Sequence, residues 1–108
     1  MIHQLRIYEI FEHNREAFHA RFRDHAARLM RHHGFHIVDM WESRTGPQLE
    51  FVYLLEWPDE AALDAAWAAL MADQEWSAIK RDTAARHGQL VGAIQNRVLR
   101  RTGGAPGA

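Results

Sequence analysis

The stretch RHHGFHIVDMW, residues 31 to 41, places His32, His33 and His36 close together before the chain turns hydrophobic. Metal ligation needs three or four donors converging on one point, commonly with histidines at i and i+4 on one helical face. His32 and His33 are adjacent and point about 100° apart on a helix. Gly34 breaks the helix before His36, and the chain has no cysteine and no H-E-x-x-H. No metal site is expected. His32 and His33 instead suit the last turn of a helix, where imidazolium groups interact favourably with the C-terminal end. The stretch reads as a helix stop followed by a strand.

His25 differs from these three. On a helical wheel it falls about 20° from Phe18, in the middle of an apolar stripe. A histidine there must find a hydrogen-bond partner or border a cavity, because burying it unpaired is costly. Two readings follow: a satisfied core histidine, or a pocket histidine acting as general base or substrate anchor, for which an imidazole is suited near neutral pH.

Arg6 and Tyr8 share one face of a predicted first strand without a hydrophobic reason to be there. Either they are polar groups of a subunit interface, with Arg6 paired to a carboxylate such as Asp39, or they serve a substrate. In the second reading Arg6 binds an anionic group and Tyr8 orients or protonates it. Asp39 and Arg97, both charged in mid-strand positions, fit the same two stories. Trp41, Trp57, Trp67 and Trp76 are core and interface anchors or the walls of an aromatic pocket. Trp41, Tyr53, Trp67 and Trp76 join Asp39 and Arg97 as candidate ligand contacts. Ser43 and Thr45 lack a G-x-S-x-G context and there is no Gly-rich phosphate loop, which argues against a nucleophilic hydrolase. No motif calls for a cofactor.

These residues must be positioned by a small set of elements. IHQLRIYEI alternates as a strand, with Leu5 and Ile7 on one face and Gln4, Arg6 and Tyr8 on the other. Asn14 is an expected N-cap for a helix carrying Phe18, Phe22 and Leu29 on one side, and Gly34 suits its C′ position. A strand from about Phe35 to Arg44 turns through TGPQ into the strand LEFVYLLEW. Pro58 and Asp59 open a second helix with Leu63, Trp67 and Leu70 on one stripe. Asp73 is expected to cap a short further helix with Trp76 and Ile79 inward, before a last strand in QLVGAIQNRVLR. The order β-α-β-β-α-β is that of an α+β, ferredoxin-like domain with an antiparallel four-stranded sheet and its helices on one face.

Strands two and three are apolar on both sides. Ile37, Trp41, Phe51, Tyr53 and Leu55 are assigned to one, Val38, Met40, Val52 and Leu54 to the other. Helices cover only one face, and soluble monomers rarely leave a large apolar patch in water. A homodimer joined sheet to sheet is therefore expected.

A chain of 108 residues is one domain, expected over residues 1–101 with a disordered small-residue tail at 102–108. Thirteen basic against fourteen acidic residues leave a formal charge of -1, which gives no electrostatic reason to expect nucleic acid or an anionic membrane as partner. All basic residues but Lys80 are arginine. No segment has the roughly 18 to 20 apolar residues of a membrane span, and the N-terminus lacks the pattern of a secretory signal. The expected location is the cytoplasm.

Four segments together resemble the NIPSNAP family: LRIYEI, RHHGFHIVDMWESRTGP, YLLEW and DEAALDAAWAALMADQEWSAIK. The similarity runs from about Leu5 to Lys80, and WESRTGP and ADQEW are its most specific pieces. That family belongs to the dimeric α/β-barrel superfamily. The resemblance implies a subunit whose sheet meets that of its partner to form a barrel. The wider superfamily includes cofactor-independent monooxygenases, haem-degrading enzymes, muconolactone-type isomerases and polyketide cyclases. It implies a small-molecule pocket between helices and sheet, often using histidine, tyrosine or tryptophan. Fold alone does not transmit function. Three readings follow: a pocket bordered by His25, Tyr8 and the tryptophans for a hydrophobic or aromatic metabolite, with cofactor-free proton transfer or oxygenation; a non-catalytic dimeric interaction module; and a haem-binding relative.

Overall fold

The computed structural model describes residues 1–103; the part of the expected tail from 104 to 108 lies outside the described residues. Strand β1 (Ile2–Ile10) is followed by a 3-10 turn at Glu12–Asn14 and by α1 (Arg15–Arg21). The helix runs on through a π-turn at Phe22–Ala26 into α2 (Ala27–His32). Strands β2 (His36–Thr45) and β3 (Gln48–Trp57) form a hairpin, then come α3 (Glu60–Ala72), α4 (Gln74–His87) and β4 (Val91–Leu99). The sheet order is β2-β3-β1-β4 and all three neighbouring pairs are antiparallel. This is the α+β, ferredoxin-like βαββαβ arrangement that the strand and helix periods predict.

Local chemistry fixes the joints. Asp59 and Asp73 cap α3 and α4, their carboxylates accepting from the Ala62 and Trp76 backbone N–H at 2.8 and 3.1 Å. Helix α2 ends in a Schellman motif. Gly34 has φ +91°, its N–H donates to the Arg31 carbonyl at 3.1 Å, and Phe35 N–H donates to Met30 at 3.0 Å. The helix stop read from RHHGF is therefore real. His33 goes further than the macrodipole argument: its Nε2 lies 2.7 Å from the Asp73 carboxylate, tying the end of α2 to the start of α4.

Two expectations are corrected. Asn14 does not cap a helix with its side chain; its amide donates to the His87 and Gln89 carbonyls, both at 2.9 Å, and so fastens the end of α4 to the start of α1. The helix after Asp73 is not a short turn but spans 14 residues. Its surface is polar nearly all round and only Trp76 is buried, so hydrophobic period gave little sign of its length.

The β1–β3 register decides which side chains meet. Arg6 lies opposite Tyr53 and Tyr8 opposite Phe51. On β3 Leu49, Phe51, Tyr53, Leu55 and Trp57 are buried, so this is the face under the helices, and Gln4 and Ile10 of β1 are buried with them. Arg6 and Tyr8 therefore face the helices. Leu5 and Ile7 face away, opposite Leu54 and Val52.

On β2 the alternation slips. Ile37 pairs with Leu55 but Asp39 pairs with Leu54, leaving Val38 as the extra residue of a β-bulge. Beyond it, Met40 and Glu42 lie opposite Tyr53 and Phe51 on the helix side, while Trp41 lies opposite Val52 on the open side. The assignment of Trp41 to the face of Tyr53, and of Met40 to the other, is thus reversed by one inserted residue.

Candidate functional site

The helix-side face of β1 carries a polar seam through an otherwise apolar core. Gln4 is 2% exposed. Its Oε1 accepts from both the Trp57 and Trp67 indole N–H groups, at 3.0 and 2.8 Å, and its amide donates to Asn96 Oδ1 at 2.6 Å. One buried amide thereby satisfies two tryptophans brought in from β3 and α3, as buried polar groups require.

Arg6 is next on the same face. Its Nη2 donates to the Tyr8 hydroxyl at 3.3 Å and its guanidinium lies over the Trp67 ring, 4.4 Å from the centroid. The Tyr8 and Tyr53 hydroxyl oxygens are 2.5 Å apart. Around them Phe18, Phe22 and Phe51 pack edge-on or tilted at centroid separations of 4.7 to 6.4 Å. Arg6 has no carboxylate partner among the described residues. Burial opposes its charge, but the phenol oxygens of Tyr8 and Tyr53 outweigh this and its pKa is raised. Burial, then the neighbouring Tyr8, pushes the Tyr53 phenol well above its ordinary value. The seam at neutral pH holds the Arg6 cation beside a protonated Tyr53 phenol.

Two buried side-chain nitrogens in the described residues lack any hydrogen-bond partner: Arg6 Nε and His25 Nδ1. Such orphans are uncommon and ask for an explanation. His25 belongs to the π-turn, a feature frequent at functional sites. It does not occupy the middle of the apolar stripe. Phe22, Ala26, Leu29 and Met30 take the inward positions and His25 is only half-buried. The extra residue in the turn rotates everything after it away from a regular wheel.

Of the residues singled out from the sequence, the fold brings Arg6, Tyr8, Tyr53 and Trp67 together. Trp76 stands nearby under Arg21, whose guanidinium is 5.5 Å from its ring centroid and donates to Thr83 Oγ1 at 3.2 Å. Arg21 was not singled out. It sits half-buried between α1 and α4, and burial lowers its pKa although Tyr8 pulls the other way. Asp39, Trp41 and Arg97 are not part of this group. The Asp39 carboxylate accepts from the Met40 backbone N–H at 2.8 Å, so the expected Arg6–Asp39 pair does not form. The reason is topological: β3 lies between their strands, and the two side chains are on opposite faces. Arg97 lies opposite Leu5 on the open face, with its Nη2 donating to Gln95 at 2.9 Å. Gln4 and Asn96 were also missed as site residues, since their roles depend on cross-strand neighbours.

The open face joins Leu5, Ile7, Val52 and Leu54, all half-buried, to Trp41 and Leu99, which are 48% and 42% exposed. At one end His3 and His36 both approach the Glu56 carboxylate, at 3.1 and 3.3 Å. Among the described residues, no three His, Asp or Glu side chains converge as metal ligands would. Haem would need an axial donor over an open cavity. The Arg6 cluster offers it no histidine, and Tyr53 is fully buried with its hydroxyl on Tyr8, so these residues do not suit that group. Among the described residues, no helix is long and apolar enough to cross a membrane.

The NIPSNAP family model matches residues 3–106. A search of the curated proteins gives no match. Among solved structures, a NIPSNAP family protein from Agrobacterium tumefaciens is 18% identical, with a TM-score of 0.81 over 99% of this chain and 98% of that one. An uncharacterized NIPSNAP-like domain protein from Burkholderia xenovorans is 22% identical, with a TM-score of 0.80 over 97% and 88%. More distantly, a putative antibiotic biosynthesis monooxygenase from Nitrosomonas europaea is 16% identical, with a TM-score of 0.63 over 94% and 99%. At these identities the likeness is one of fold.

Proposed function

This chain belongs to the NIPSNAP family, and we propose that its helix-side cluster of Arg6, Tyr8 and Tyr53 binds a small aromatic or apolar organic anion. The observation that carries this is the half-buried Arg6 guanidinium, which among the described residues has no partner for its Nε and no carboxylate to neutralise it. A buried cation without a counter-ion is costly unless something supplies the charge. A carboxylate, phenolate or enolate would do so, and the flanking Trp67 and Tyr8 rings offer it a flat apolar wall.

The same geometry suits proton transfer without a cofactor. The Tyr8 oxygen accepts from Arg6 and lies 2.5 Å from the Tyr53 hydroxyl. With Tyr53 donating to it, the Tyr8 proton is left to point at a ligand oxygen, and the guanidinium beside it stabilises negative charge developing there.

We also propose that the protein works as a homodimer joined through the open sheet faces. Leu5, Ile7, Val52, Leu54 and Trp41 make that face apolar at its centre. The rival reading, a dimeric module without catalysis, draws on the close packing of Phe18, Phe22, Phe51 and Tyr53 beneath Tyr8.

Isothermal titration calorimetry with benzoate separates the two. The binding reading expects a saturable heat in the wild type that is lost in Arg6→Met. Identical titrations in the two proteins would sink it in favour of the structural module.

A further inference from the structure

A second site lies along the β2 edge, separated from the Arg6 cluster by an aromatic wall. The Phe22 and Phe51 ring centroids are 4.7 Å apart, and Phe22 packs against Tyr53 at 5.3 Å on its far side. On the near side Phe22, Ala27, Met40 and Phe51 floor an open groove of about 380 Å³, a volume within the range of small-ligand sites. The Val38 bulge creates it by turning Met40 towards the helices, where the methionine remains 37% exposed over the small Ala27.

The rim is cationic. Arg23 and Arg31 stand four residues to either side of Ala27 on one helical face. Arg31 makes no ion pair among the described residues. Arg23 pairs only with its exposed neighbour Asp24 at 2.9 Å, a surface contact worth little and easily exchanged. At the other end His19 Nε2 lies 2.7 Å from Glu42, but Arg15 also binds that carboxylate at 2.7 Å, so no free negative charge opposes an incoming anion.

An apolar floor beneath an uncommitted arginine calls for a ligand with both characters. We propose that this groove binds an amphipathic carboxylate of medium acyl length, its tail over Met40, Phe22 and Phe51 and its head group held by Arg31 with Arg23. The Arg6 site takes no part in it, so either proposal can fail without the other.

The test is calorimetric titration of the full chain with octanoate and, separately, with 1-octanol. Octanoate should bind at least about tenfold more tightly than octanol, the difference expected for a charge-assisted contact. Arg31→Gln should remove most of that difference. Met40→Glu, at a position exposed enough to accept it, should abolish octanoate binding while circular dichroism shows the fold intact. All these titrations are made in the Arg6→Met background, so that octanoate taken up by the Arg6 cluster does not enter the comparison. Equal affinity for octanol and octanoate would overturn the role of the arginines and give the groove to a neutral apolar occupant. Absence of octanoate binding, or binding that survives Met40→Glu, would overturn the site itself.

Discussion

The hydroxyl oxygens of Tyr8 and Tyr53 lie 2.5 Å apart, although their residues are not directly opposite in the sheet. Tyr53 is opposite Arg6, and Tyr8 reaches it diagonally, a distance that long side chains on one face can span. The pair joins the half-buried end of the Arg6 seam to the fully buried core.

Arg6→Met should leave stability within about 1 kcal/mol of the wild type or raise it, because an apolar isostere relieves the desolvation of an unpaired charge. Urea unfolding checks this. A loss of several kcal/mol would mean that Arg6 holds the fold together and is not kept for a ligand.

Gln4→Leu should behave in the opposite way. It strands the indole N–H groups of Trp57 and Trp67, whose acceptor it removes, at a cost of about 2 to 4 kcal/mol. The midpoint of denaturant unfolding should fall accordingly, with its slope unchanged. A stability like that of the wild type would show that water replaces the amide.

Acid should release the β2 edge from the helix. Hydrogen bonds from Arg15 and His19 hold the Glu42 carboxyl down from 4.5 to about 2. A carboxylate with a depressed folded pKa adds stability that is fully present above about 4.5 and lost as pH falls towards about 2. Because Glu42 is partly open to solvent, the contribution is modest. The stability difference between the wild type and Glu42→Gln should therefore shrink through that window. A difference independent of pH would show that these bonds carry no linkage.

Leu54→Lys places a charge opposite Leu5 at the centre of the open face. The variant should remain folded by circular dichroism but elute as a monomer where the wild type elutes as a dimer. Two proteins of the same size in solution would count against the sheet-to-sheet assembly.

Most of the fold was legible because alternation and caps are local signals. Asp59, Asp73 and Gly34 each end or begin an element through bonds reaching only a few residues. The misplacements of Trp41 and His25 share one physical origin, a single inserted residue. Val38 in β2 moved Trp41 away from the candidate site, and the π-turn moved His25 off the apolar stripe. Neither insertion leaves a mark in composition or period. The Arg6–Tyr8 pair was visible as polar residues in an apolar strand, but its direction was set by the buried neighbours Gln4 and Ile10. Arg21 and Asn96 are defined by partners far along the chain, on α4 and β1, and had no local signal.

Anion binding at Arg6 is tested most directly by following its Nε–H resonance in nitrogen-15 NMR as benzoate is added. That signal should shift saturably together with the Trp67 indole N–H, which lies in the same seam. An Arg6 signal that stays in place at benzoate concentrations saturating for any other part of the protein would contradict binding at Arg6.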